Sequence, residues 1–182
     1  TDTVDATSAD VDDTVLDRLL ITAANFSDGA DEIVTFNTEV FTLNTTKTGT
    51  EVAGGTTFNI AYVTGTGIFT ITKDGGGDMP IGDVNTLIRD ITYENSSQDP
   101  TEADRTFTFV VRDDDLANSN NAVSTITVAA DNDAPTIDLD VNNSEGTGGD
   151  DYADTFTEGD AALAITDTVD ATSADVDDTV LD

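Results

Sequence analysis

The chain contains no cysteine and no histidine. The first absence excludes disulfides and thiolate metal sites. The second removes the commonest transition-metal ligand and general base. What is left for metal binding is oxygen chemistry from carboxylates, Asn side chains and carbonyls, which suits hard cations such as calcium. Tryptophan is also missing, and tyrosine occurs three times. Paired carboxylates alone can in principle hydrolyse glycosides, but such sites need aromatic platforms that this composition does not supply. The chain is therefore expected not to be an enzyme. Basic residues are scarce: 6 Lys and Arg stand against 38 Asp and Glu, a formal net charge of −32. Nucleic acid is recognised through clustered Lys and Arg, so it is not an expected partner. Adsorption to anionic membranes is disfavoured for the same reason. No apolar run approaches the roughly 20 residues that span a bilayer, so no membrane insertion is expected.

High net charge with 37% hydrophobic residues admits three readings: disorder, adaptation to high salt, or binding of neutralising cations. The strand pattern argues against the first, and the placement of the acids favours the third.

What the chain does have is a repeat. TDTVDATSADVDDTVLD fills positions 1–17 and recurs unchanged at 166–182, an offset of 165 residues. Identity over that length reads as one period of a tandem array plus the start of the next. The ends of the chain are then expected to be cuts through a longer molecule. Between the copies, alternating apolar and polar residues predict strands at 18–25, 32–36 and 39–43. The stretch 45–57, rich in Thr and Gly, reads as a loop. A hairpin is predicted from 57–63 and 67–73, turning at Thr64-Gly65-Thr66, with a loop at 73–80. Val84, Leu87 and Ile88 have helical spacing, which predicts one short helix over 82–89 with Asp83 as N-cap. Strands follow at 90–94, 105–112 and 122–130. In the last, Val123, Ile126 and Val128 nearly share a face, with a phase slip that suggests a bulge. DNDAP at 131–135 cannot continue a central strand and reads as a boundary. Residues 136–141 then begin a new unit, 142–151 form a polar loop, and 154–166 are strand-like. Many short strands and almost no helix predict an all-β sandwich. The predicted domains are 1–133, the body of one repeat lacking its first strands, and 134–182, the first strands of the next.

The order of acidic motifs resembles cadherin-like repeats. DNDAP stands at the boundary, Thr157-Glu158-Gly159 on an early strand, and ADVDD at 174–178. PTEADR at 100–105 and VRDDD at 111–115 flank the penultimate strand. The closer resemblance is to the bacterial cadherin-like repeats of giant surface adhesins, often secreted by type I systems. These carry a stretch similar to the one at 91–109 and end in an NDAP boundary. The resemblance implies an Ig-like, cadherin-like Greek-key β-sandwich repeat with calcium between successive domains. It implies ligands from Glu102 and Asp104 before the boundary, from Asp131, Asn132 and Asp133 in the linker, and from Asp175 and Asp177 after it. Asp10 and Asp12 with Asp113 would form the matching half-site at the other end of the body. Glu158 would serve the far end of the next domain.

The leading expectation is an extracellular stalk repeat on a bacterial cell surface, stiffened by calcium and partnered by neighbouring repeats, which extends a distal binding region in adhesion or biofilm. An alternative is a homopolymer, an extracellular fibre or matrix joined by strand exchange between copies. The weakest is a glycan- or surface-binding module, for want of Trp.

Overall fold

The structure, a computed structural model, describes residues 6–9, 14–144 and 146–178. It divides into two compact units, Thr1–Ala130 and Asp131–Asp182. The division falls at the start of the DNDAP stretch. The chain is mostly β with several antiparallel sheets and one short helix.

In the first unit the strands are β1 (Val15–Ala24), β2 (Glu32–Phe36), β3 (Glu39–Thr42), β4 (Lys47–Ala53), β5 (Thr56–Val63), β6 (Ile68–Lys73), β7 (Met79–Pro80), β8 (Ile91–Asn95), β9 (Asp104–Asp113) and β10 (Ala122–Thr127). The helix α1 spans Ile81–Arg89 between β7 and β8. One sheet runs β10-β9-β1-β6-β5-β4, with β7 also paired to β1, and a second runs β3-β2-β8. Period-two alternation explains the larger sheet. In β5, Thr56, Phe58, Ile60 and Tyr62 all turn inward, as successive side chains on a strand must. The smaller sheet meets them through Phe36 and Phe41. Their rings lie 5.3 and 5.5 Å from that of Phe69 on β6, within the range of favourable aromatic pairs.

Four expectations fail here for physical reasons. The 45–57 stretch is no loop: β4 pairs with β5 from Lys47↔Tyr62 to Ala53↔Thr56. A Thr-rich strand carries little apolar signal, and β4 owes its place to the ladder and to buried Glu51 and Ala53. Asp83 is not the N-cap of α1. Pro80 holds that position, while Asp83 Oδ2 accepts the Thr56 hydroxyl at 2.6 Å. This ties the helix to the β4–β5 turn, where Gly54 has φ +63 and a Cβ would sit 2.2 Å from Asp83 Oδ1. The suspected bulge in 122–130 is absent. Pairing of β10 with β9 is unbroken from Ala122↔Phe109 to Thr127↔Asp104, and the register shift lies in β1 between Leu16 and Arg18. Finally, 154–166 forms no strand. Its alternation needs a neighbouring strand to pair with, and Phe156 and Ile165 stay exposed (59% and 87%).

One ion network fastens the two sheets together. Arg105 on β9 is fully buried. Its Nε donates to Glu32 Oε1 on β2, and its Nη2 donates to Asp28 Oδ2 at 2.9 Å. Glu32 also accepts the Tyr93 hydroxyl and the Ser27 and Asp28 amides at 2.8–3.0 Å. Burial pushes the Asp28 carboxyl up, but hydrogen bonds from Thr101 and Asn95 and the charge of Arg105 hold it below the usual range. Arg105→Met would leave two enclosed carboxylates without a cation. The expected loss is about 3–5 kcal/mol, read by urea unfolding of the full chain.

Glu51 is a second buried acid, and it closes the β2–β3 turn. Its carboxylate accepts the Asn37 amide, the Thr38 amide and hydroxyl, and the Val52 amide at 2.7–3.1 Å. Burial pushes it up, yet these donors bring it from 4.5 down to about 2. A depressed carboxyl stabilises the fold fully above its unfolded value and loses that contribution as pH falls toward its folded one. Glu51→Gln is therefore expected to cost about 1–3 kcal/mol at neutral pH. Between pH 4.5 and about 2 the gap to wild type should close, as followed by unfolding at each pH. A gap that stays constant over that range contradicts the assignment.

Candidate metal centre

The second unit contains no Lys or Arg; the last basic residue in the chain is Arg112. Its acids therefore have no cation within their own unit. Its one ladder pairs β11 (Thr136–Asp138) with β12 (Thr172–Ala174), in the register Thr136↔Ala174 to Asp138↔Thr172. Just beyond the end of β11 the chain turns back on itself. The Asp140 amide donates to Asp138 Oδ1 at 2.9 Å, and Asp140 Oδ1 accepts the Ser144 amide at 3.0 Å. The Asp167 amide donates to Leu139 O at 2.9 Å, which carries the segment before β12 against this turn.

The result is a group of three carboxylates, Asp140, Asp167 and Asp170, each offering an oxygen within 4.8 Å of the others. Asp140 is fully buried. Asp167 lies below its ordinary value, chiefly because the Val169 amide donates to it, with help from the Ser144 hydroxyl and the Asp170 amide. Asp170 Oδ2 accepts the Asn142 amide at 3.2 Å and the Asn142 side chain. Asp170 Oδ1 is enclosed and accepts no hydrogen bond. Buried acceptors are almost always satisfied, so this oxygen fits a cation. Oxygens around calcium lie about 2.3–2.6 Å from it, so ligands of one ion fall within roughly twice that of one another, as these three do.

The residues singled out from the sequence fall as follows. Asp133, Asp175 and Asp177 come together in the second unit: the Asp133 amide donates to Asp177 Oδ2 at 2.9 Å. Contact between the two carboxyls raises Asp175 and lowers Asp177. Asp177 Oδ1 is another enclosed oxygen without a hydrogen-bond donor. Asp131 and Asn132 are exposed beside them, and Asn132 Nδ2 donates to Asp133 O at 2.7 Å. In the first unit, Glu102 Oε1 accepts the Ala130 amide at 3.2 Å and Asp104 Oδ1 accepts the Thr127 hydroxyl at 2.7 Å. Both therefore secure the end of β10. Asp113 Oδ1 accepts the Ala117 amide at 2.7 Å and closes a turn. Glu158 sits on an exposed turn rather than on a strand. Asp10 and Asp12 lie outside the described residues.

The three-carboxylate group was not among those residues. Its signal was present, because Asp167 and Asp170 are the DTVD that opens the repeated stretch, and Asp138 and Asp140 form a D-x-D pair. Comparison with protein-family models, curated proteins and solved structures gave no match.

If these carboxylates hold calcium, Asp170→Asn should weaken its binding to the full chain by at least the 10–100-fold that even outer-shell changes typically cause. Titration calorimetry reads this, with the loop variant Asp74→Asn as control. Equal affinities in the two variants would remove the site.

Proposed function

We propose that this chain is a structural repeat of a large extracellular bacterial surface protein, made stiff by calcium and built to space a distal binding region from the cell. In this reading the two sheets of the first unit form a cadherin-like Greek-key sandwich. The second unit is the opening segment of the next repeat, and the protein has no catalytic step of its own. The observation that carries it is the second unit itself: Asp140, Asp167 and Asp170 bring carboxylate oxygens together, and Asp170 carries an enclosed oxygen with no hydrogen-bond partner, in 52 residues that lack any basic side chain. A bound cation would neutralise that convergence, and the donor set is all oxygen, which suits calcium. The repeated stretch supports the same reading, since every further copy would bring another DTVD and ADVDD.

The mechanism is mechanical. Without calcium the carboxylates repel, the turn after β11 loosens and successive domains hinge. With calcium the acids are neutralised, and ordering is coupled to binding. Small-angle X-ray scattering of a protein of several tandem repeats should show a longer, stiffer particle in calcium than in chelator. A maximum dimension unchanged between the two conditions would sink the proposal.

A further inference from the structure

The first unit carries an apolar groove of about 570 Å³. It is lined by α1 and β8 on one side and by β9 and β10 on the other, with Tyr93, Phe107, Phe109, Val123 and Ile126 among its walls. In a chain of net charge −32 the lining contains no acid among the described residues, and its single charge among them is Arg89. The groove opens between two sheet ends. β10 ends the larger sheet and β8 the smaller, so each has one side of its backbone unpaired. Every residue of β10 is exposed. Exposed edges of this kind are templates for an added strand.

The rim of the groove is formed by Ala6, Thr7, Ser8 and Ala9. The Ser8 amide donates to Asn85 Oδ1 of α1, and Arg89 Nε donates to Ala6 O at 3.0 Å. These rim residues belong to the first copy of the repeated stretch. Their counterparts in the second copy include Thr172–Ala174, which form β12 by pairing with Thr136–Asp138. The same three residues, Thr7, Ser8 and Ala9, are unpaired in the first copy. The second copy is directly preceded by residues 154–165, where Ala161, Leu163 and Ile165 alternate with Asp160, Ala162 and Ala164. Leu163 and Ile165 are spaced to share one face of a strand, with the small Ala162 and Ala164 on the other, yet the segment forms no ladder, and Leu163 and Ile165 are exposed (41% and 87%). Its acids, Asp154, Glu158 and Asp160, suit a groove whose one charge among the described residues is that of Arg89.

We propose that the groove is the seat of residues 154–165 from a second copy of this chain, added as a strand beside β10 with Leu163 and Ile165 turned inward. In a tandem array the donor would be the preceding repeat, and each repeat would complete the next. This contact is head-to-tail, so it propagates along a chain of copies. It does not depend on calcium.

The test uses the full chain in chelator, followed by sedimentation equilibrium from micromolar to millimolar concentration. Wild type should at least double its weight-average mass with rising concentration. Val123→Glu with Ile126→Glu blocks the groove, and Leu163→Asp with Ile165→Asp blocks the segment. All four positions are exposed, so circular dichroism should show an intact fold. Each double variant should stay monomeric alone. Mixing them should give a dimer of one of each, because one keeps the segment and the other keeps the groove. Wild type that stays monomeric at millimolar concentration overturns the proposal, as does association that survives both variants or a mixture that fails to pair. Because chelator is present throughout, a failed calcium joint leaves this result unaffected.

Discussion

The first unit depends on a cation that it keeps inside. Arg105 is one of only six basic residues, and it is fully buried between two carboxylates. Such an arrangement is tolerable only when every remaining lone pair and proton is matched. Here six further hydrogen bonds supply that matching. The guanidinium also donates to the Ala103 and Thr101 carbonyls at 3.1 and 3.0 Å. Asp28 accepts Asn95 Nδ2 at 2.6 Å, and Tyr93 and two amides complete Glu32. The network joins the segment leading into β9 with the turn before β2 and with the end of β8. Both sheets therefore share one anchor, and the aromatic layer of Phe36, Phe41 and Phe69 packs beneath a fixed frame.

The second unit shows what happens to the same kind of sequence without such a cation. Its acids also converge, and the donors facing them include amides, hydroxyls and the Asn142 side chain. Neutral donors satisfy some lone pairs and leave others enclosed and bare, at Asp170 and Asp177. Net charge alone would not reveal this contrast, since both units are acidic. It comes from where the basic residues lie. The first unit balances its buried carboxylates internally through Arg105, whereas the second has no basic side chain of its own.

How legible the molecule was in its sequence follows the same division. Elements whose signal is local could be read directly. β2 matches its expected bounds, the hairpin of β5 and β6 turns where Thr64-Gly65-Thr66 suggested, and α1 follows the spacing of Val84 and Leu87. Elements that exist because of a distant partner could not. β4 is a Thr-rich strand held by β5, β7 is two residues pinned to the start of β1, and Arg105 looked like the end of an acidic motif rather than the centre of a network. The candidate metal group was half legible. The DTVD and D-x-D spacings lie in plain view, but only the fold of 139–144 against 167–170 brings Asp140 to them. Conversely, 154–165 has a clear strand pattern and forms no strand. A pattern states what a segment can bury, and pairing needs a neighbour.

The repeated stretch separates these influences, because its two copies have the same residues in different surroundings. Intrinsic propensity and local charge are identical in both, so any difference must come from outside the stretch. Thr172–Ala174 lie in a ladder because Thr136–Asp138 come back to meet them. Thr7, Ser8 and Ala9 have no such partner and lie instead along α1, on the rim of an apolar groove. Asp17, near the end of the first copy, accepts Arg112 Nε at 2.7 Å, and Leu16 is buried in the core. The end of the stretch thus belongs to the domain that follows it, while its beginning answers to the segment that precedes it. A stretch that takes one half of its structure from each side is the natural place for a repeat to join its neighbour.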